Sequence, residues 1–285
     1  MVVGGQGRAY VLNWTGNTFT PVSTHVAPQP TEQAGLRVDI APVSSSLSHA
    51  TFGAPGLDTP LTANLGGFGA FKEQSTGWAF DGYHVLSASG PSFTQADSWA
   101  GADVAMAPQR RAIGAFKHDR VVIQAYLSGS WQTKSVLHIP SPDSSGVRVD
   151  FSPSGKYLAI TQGPAVASLS ALSSALPNDA NHTVFIYEDT SQDASTWTLR
   201  HTVAPPSGAL SFGYAIAMGE EDLFVSDPGE GDLYRYTRSG TTWTYDGVFS
   251  KYGSTFGMSI DFDGTYLVAS KIDNNDTAIF IMKYR

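Results

Sequence analysis

The chain contains no cysteine, which excludes disulfides and thiolate metal sites. Charge is also scarce: 15% of its 285 residues are Asp, Glu, Lys or Arg, and they sum to −8 at pH 7. Non-specific binding to nucleic acid or anionic lipid needs a basic surface, so neither partner is expected. No apolar run is long enough for a membrane-crossing helix. The opening Met1-Val2-Val3-Gly4-Gly5-Gln6-Gly7 has neither the basic start nor the apolar stretch of a secretory signal. The histidines (25, 49, 84, 118, 138, 182 and 201) show no zinc-ligand spacing. No phosphate-cradling glycine loop leads into a helix, and Gly257-Met-Ser-Ile-Asp261 sits in a strand pattern rather than at a nucleophile elbow.

What the chain does have is aromatic, Gly, Ser and Thr content suited to strands and turns, with 41% apolar residues to build a core. It also repeats itself. Gly35-Leu-Arg-Val-Asp-Ile40 returns as Gly101-Ala-Asp-Val-Ala-Met106 and Gly146-Val-Arg-Val-Asp-Phe151, then as Gly213-Tyr-Ala-Ile-Ala-Met218 and Gly257-Met-Ser-Ile-Asp-Phe262. The glycines are 66, 45, 67 and 44 residues apart, and self-similarity at such a period signals a repeat architecture.

Each copy reads as a strand a, followed after a short turn by a strand b such as Tyr157-Leu-Ala-Ile160 or Leu223-Phe-Val-Ser226. An apolar strand c follows, then a Ser/Thr/Gly turn and a large aromatic that opens strand d: Phe19, Trp78, Trp131, Trp197 and Trp243. Their regular placing predicts packing roles rather than sugar platforms. The tally is six b, six c, five a and five d strands, with a absent from the first unit and d from the last. The fold class is therefore all-β: one β-propeller domain over residues 1–285, of four-stranded antiparallel blades. Blades start near 35, 101, 146, 213 and 257, and residues 1–34 form a partial first blade. Six blades fit best, with five and seven left open.

Two units are longer by about twenty residues, through Gly56–Gly67 and Ser89–Ser98 in one and Gly163–His182 in the other. Because successive strands reverse, the b–c and d–a loops emerge on one rim, where a repeat protein often binds.

Phe212-Gly-Tyr-Ala-Ile-Ala-Met-Gly-Glu-Glu-Asp-Leu-Phe-Val-Ser-Asp-Pro-Gly229 resembles an FG-GAP repeat of the integrin α-chain propeller family. Phe256-Gly257 opens the next copy alike, and Phe52-Gly-Ala-Pro55 keeps the Gly-Ala-Pro end, whereas Ala34, Ala100 and Ser145 stand where phenylalanine is expected. The resemblance implies recognition: adhesion, or a scaffold in an assembly. Calcium-binding members of that family carry an Asp-x-Asp-x-Asp-Gly loop between a and b, and only Asp261-Phe-Asp263-Gly264 approaches it. One carboxylate pair falls short of the oxygens calcium prefers, so no cofactor is expected.

Candidate binding residues lie on the rim. Trp99 stands outside the aromatic register in a d–a loop. Lys117, His118 and Arg120 could hold an anionic group, while Asp227, Glu230 and Asp232, with Asp273 and Asp276, could contact a basic partner. Asp, Asn and Gly are also what a tight turn uses. Asp39, Asp150 and Asp261 recur at one position of strand a, with Asp103 nearby. They would either form an acidic ring or accept structural hydrogen bonds from neighbouring blades. The expectation is a non-enzymatic module that binds a protein or glycan at an extracellular or virion surface. A propeller-type glycan hydrolase or lyase is the alternative, and it would need two free carboxylates.

Overall fold

The computed structural model describes the chain except residues 6, 28–34, 36, 58–65, 87–99, 116–119, 141–146, 163–182, 192, 251, 274–275 and 285, and the side chains of 5, 14, 147, 162, 273 and 276. Its described residues form 22 strands and no helix. The contacts divide the chain into two units, one up to Val147 and one from Arg148.

The first unit carries three antiparallel sheets. They are β1 (Val2–Gly5), β2 (Arg8–Trp14) and β3 (Phe19–Val26); then β4 (Val38–Ser44), β5 (Leu47–Ala54), β6 (Gly67–Gln74) and β7 (Gly77–His84); then β8 (Ala100–Ala107), β9 (Arg110–Ala115), β10 (Arg120–Leu127) and β11 (Ser130–His138). The second unit carries three more. They are β12 (Val147–Phe151), β13 (Tyr157–Gln162), β14 (Val184–Asp189) and β15 (Trp197–Val203); then β16 (Ile216–Met218), β17 (Asp222–Asp227), β18 (Asp232–Ser239) and β19 (Thr242–Phe249); then β20 (Phe256–Phe262), β21 (Tyr266–Asp273) and β22 (Asp276–Lys283). Each sheet is a simple up-and-down meander in chain order. The fold is a six-bladed β-propeller, with strand a missing from the first blade and d from the last, as the sequence predicts.

The core lies between adjacent blades, because a four-stranded sheet has two faces to cover and no helix to cover either. In the first unit, Ala9, Val11, Ala50, Phe52 and Phe71 form one such cluster, and Phe68, Val104, Ile113 and Val122 another. In the second, Ile186, Phe212, Val225 and Trp243 share one cluster, and Phe224, Phe256, Phe262 and Leu267 the next. A fully buried side chain of this size contributes about 1.5–3 kcal/mol.

The repeated phrase has a packing cause. Gly101 sits at φ 82°, and a Cβ there would fall 1.8 Å from the carbonyl oxygen of Gly67, on the preceding blade. Only glycine combines that left-handed backbone with so close an approach. The phrase's fifth and sixth positions also bind one another across blades. Asp39 Oδ2 accepts from the Met106 amide at 2.5 Å, and Asp150 Oδ2 accepts from the Met218 amide at 2.6 Å. Of the two roles open to these aspartates, structural acceptance is the one observed. Strand a of the fifth blade is shorter than its phrase. Gly213, at φ 86°, donates to Ser226 O, and the Ser226 hydroxyl takes up Ala215, so the ladder proper begins at Ile216.

The strand-d aromatics divide. Trp243 is in the core, edge-on to Tyr157. Trp78 and Trp197 are half-buried, and Phe19 is exposed, correcting the uniform packing role expected of the series. Strand d is the outermost of its blade and has only part of a face to bury.

Candidate functional site

Every strand d preserved here carries one extra residue, three places after its opening aromatic. The register skips Val22, Asp81, Lys134, Arg200 and Asp246. Such a bulge bends the strand and re-aims a side chain. In the second unit the bulged residues are ion-paired, Arg200 to Glu188 at 2.6 Å and Asp246 to Arg235. In the first unit Asp81 and Lys134 line a cavity of about 930 Å³ between the second and third blades.

Arg111, from β9, is the centre of its wall. It is 3% exposed, and its guanidinium carbon lies 4.3 Å from the centres of both the Phe68 and Trp131 rings. Rings on the two faces leave only its edge for hydrogen bonds. Nε donates to Gln124 Oε1 at 2.6 Å, and Gln124 Nε2 in turn donates to Thr133 Oγ1 at 3.1 Å. The three residues are cross-strand neighbours on β9, β10 and β11, so the ladder register itself builds the chain. Nη1 is buried with no hydrogen-bond partner, and no carboxylate among the described residues pairs with Arg111. Burial pulls its pKa down to about 9, with Asp81 opposing, which leaves it protonated at neutral pH.

His49, from β5, meets the same indole at its N–H edge. Trp131 Nε1 donates to His49 Nδ1 at 2.8 Å. An indole N–H only donates, so Nδ1 must be an acceptor and the neutral ring carries its proton on Nε2. That N–H is buried and also has no partner. Burial, then the nearby Lys72 and Arg111, hold the His49 pKa down to about 4. His84 stacks on Phe68, with ring centres 5.1 Å apart, and its Nε2 is 3.9 Å from Asp81 Oδ2, beyond hydrogen-bond reach. Burial lowers its pKa, as does Arg111. Among the described residues the wall thus holds Lys72, Arg111 and Lys134 with one carboxylate, Asp81.

The rim residues expected from sequence are placed elsewhere. Trp99, Lys117 and His118 fall outside the described residues, as do the side chains of Asp273 and Asp276, whose backbones close the β21–β22 hairpin. Arg120 opens β10, half-buried. Glu230 is exposed in the β17–β18 turn, and Asp232 accepts from the Tyr234 hydroxyl at 3.2 Å. Asp227 corrects the sequence reading. It is fully buried, taking the Leu210 amide at 3.0 Å and both the amide and hydroxyl of Ser211 at 2.8 Å, so it pins a loop and offers nothing to a partner. None of the described rim candidates lines the cavity.

The strand-a aspartates of the acidic-ring reading each accept from a backbone amide. Besides Asp39 and Asp150, Asp103 accepts from the Val104 amide and lies 3.7 Å from Arg37 Nε. Asp261 accepts from the Phe262 amide at 2.8 Å. Among the described residues no group of three or more His, Asp or Glu side chains could hold a metal ion.

No family profile and no curated protein matches the sequence. Solved structures do match in shape. A protein from Bacteroides uniformis provisionally named 6-phosphogluconolactonase is 13% identical, covering 100% of this chain and 78% of its own, with a TM-score of 0.61. A functionally unknown protein from Desulfotomaculum acetoxidans is 13% identical over 100% of this chain and 86% of its own, with a TM-score of 0.56. A chain of the nidogen/laminin complex is 10% identical over 99% and 88%, at a TM-score of 0.54. At such identities the likeness is one of fold.

Proposed function

We propose that this chain is a recognition module, working without chemistry of its own, that holds a glycan in the cavity between its second and third blades. One observation carries the reading: Arg111 and His49, each with a hydrogen-bond donor left unfilled by the fold, line a space large enough for a ligand. Small-molecule sites commonly occupy roughly 300–1,000 Å³ and combine apolar walls with a few convergent polar groups. Tyr126 and Trp131 supply aromatic surface here, and Arg111 and His49 supply the polar groups. The resemblance to FG-GAP repeats and the propeller of the nidogen/laminin complex agree with a binding role, and a place on an extracellular or virion surface suits one.

A glycan-array screen of the purified protein tests this, with Trp131→Ala and Trp99→Ala variants alongside. The expected result is a set of specific hits lost in Trp131→Ala. Hits lost only in Trp99→Ala would move the site to the rim loop, and a blank array would replace the glycan with a protein partner.

A further inference from the structure

We infer that the cavity is an oxyanion site, which seats a carboxylate, sulfate or phosphate group of its ligand beside Arg111 and His49. This deepens the binding role proposed above and rests on it.

The first argument is the state of Arg111. An arginine is charged at neutral pH, and a buried charge is costly unless it is paired. Here the two ring faces and Gln124 position the group, but none of them is an anion. A purely structural cation–π stack would leave the edge of the guanidinium hydrogen-bonded within the fold. Instead Nη1 has no partner, while its residue lines open space. A fork of N–H groups held between two rings is pre-organised for a planar oxyanion, and little side-chain freedom is left to lose on binding.

The second argument is the tautomer of His49. The Trp131 N–H occupies Nδ1, so Nε2 is a donor whenever the ring is neutral, and it is neutral well below pH 7. Arg111 and His49 meet the same indole, and both offer donors without an acceptor. Two donors with nothing to receive them ask for a ligand rich in acceptors.

The third argument is charge. The chain as a whole is at −8, yet among the described residues this wall brings Lys72, Arg111 and Lys134 together with a single carboxylate, Asp81. Asp81 does not pair with Arg111, and its bulged position on β7 leaves it exposed. A local positive site on an acidic protein draws small anions and repels bulk polyanion contact elsewhere.

Titration calorimetry with inorganic sulfate, inorganic phosphate and glucuronate would test the inference at pH 7 and low salt, with methyl glucoside as the neutral control. One saturable site is expected for at least one anion, and the three arms tell a sulfate or phosphate group from a carboxylate. Affinity should fall at least about tenfold in Arg111→Gln, the loss expected for a charge-assisted pair. Arg111 is buried, so that variant needs its circular dichroism spectrum and melt checked. Lys72→Met, on the half-buried part of the wall, should weaken the same anion about threefold without disturbing the stack. Anion binding unchanged in both variants would overturn the inference. Binding of methyl glucoside with no anion preference would overturn the oxyanion assignment and leave the binding role standing. If no anion or sugar binds and the array is blank, the inference and the glycan reading both fall, and a protein partner takes the glycan's place.

Discussion

Substituting alanine at Gly101 and, separately, at Gly129 separates two costs that most glycines mix. Both residues sit at φ 82°. A Cβ on Gly129 would meet nothing within 4 Å, whereas one on Gly101 would lie 1.8 Å from Gly67 O and 3.1 Å from the Ala54 amide. Gly129→Ala should therefore show only the left-handed backbone penalty, about 1–2 kcal/mol. Gly101→Ala carries that penalty and must also push the strands apart by over an ångström. The displaced backbone includes the parallel bridge between Gly66 and Ala100, and Ala54, Ala100 and Ala102 around it are fully buried. Overpacking of this kind adds about 1–3 kcal/mol, so the total is about 2–5 kcal/mol. Urea and thermal melts of the two variants against the parent protein read the difference. At roughly 2–4 °C per kcal/mol, the two midpoints should differ by about 2–12 °C. Equal shifts in the two variants would refute the close-approach explanation of the repeated glycine and reduce it to a turn preference.

The same strand-a phrase makes Asp150→Ala informative: losing a charged acceptor for the Met218 amide should cost about 2 kcal/mol in a urea melt, with no change in anion binding. Asp227→Asn should destabilise by about 1–3 kcal/mol, because three donors converge on its carboxylate, and should leave partner binding intact. A loss of binding at unchanged stability would restore Asp227 to the rim site. His49 sets an acid limb on stability. Its folded pKa of about 4 lies below the unfolded 6.5, so the unfolded chain takes the proton first. Stability is then full above pH 6.5 and lost progressively as pH falls towards 4, by about 2 kcal/mol once water in the cavity is allowed for. His25, His84 and His201 are lowered by burial too and act in the same direction. Melts between pH 7 and 4 should show a shallower decline for His49→Gln, and an unchanged slope would remove His49 from the account.

The blades were legible because each needs the same local pieces: a glycine where another blade presses on backbone, an alternating pair of strands, and an aromatic after a turn. The cavity was not read, although one signal for it was present. The residue three places after each strand-d aromatic is charged in four cases of five, Asp81, Lys134, Arg200 and Asp246, and those are the bulged positions. Apart from Trp99, the rim candidates are marked by the charge of their loops, and charge in a loop does not reveal whether a side chain turns inward, as Asp227 does. Arg111 lay hidden in the run Gln109-Arg110-Arg111-Ala112, where nothing marks which arginine faces outward.

The amino-acid sequence by itself determined the four-stranded blade, the strand order and the place of each hairpin, because period, turn chemistry and alternation are properties of neighbours along the chain; it favoured six blades, and the structure settled that count. The tertiary structure alone decided which polar groups are filled. Asp39 and Asp150 lost their candidacy for chemistry to amides more than sixty residues away. Arg111 gained its candidacy from rings on β6 and β11 that enclose its faces and from an Nη1 that nothing in the fold answers. Saturation of a donor or acceptor depends on what packs against it in space, and no spacing along the chain encodes it.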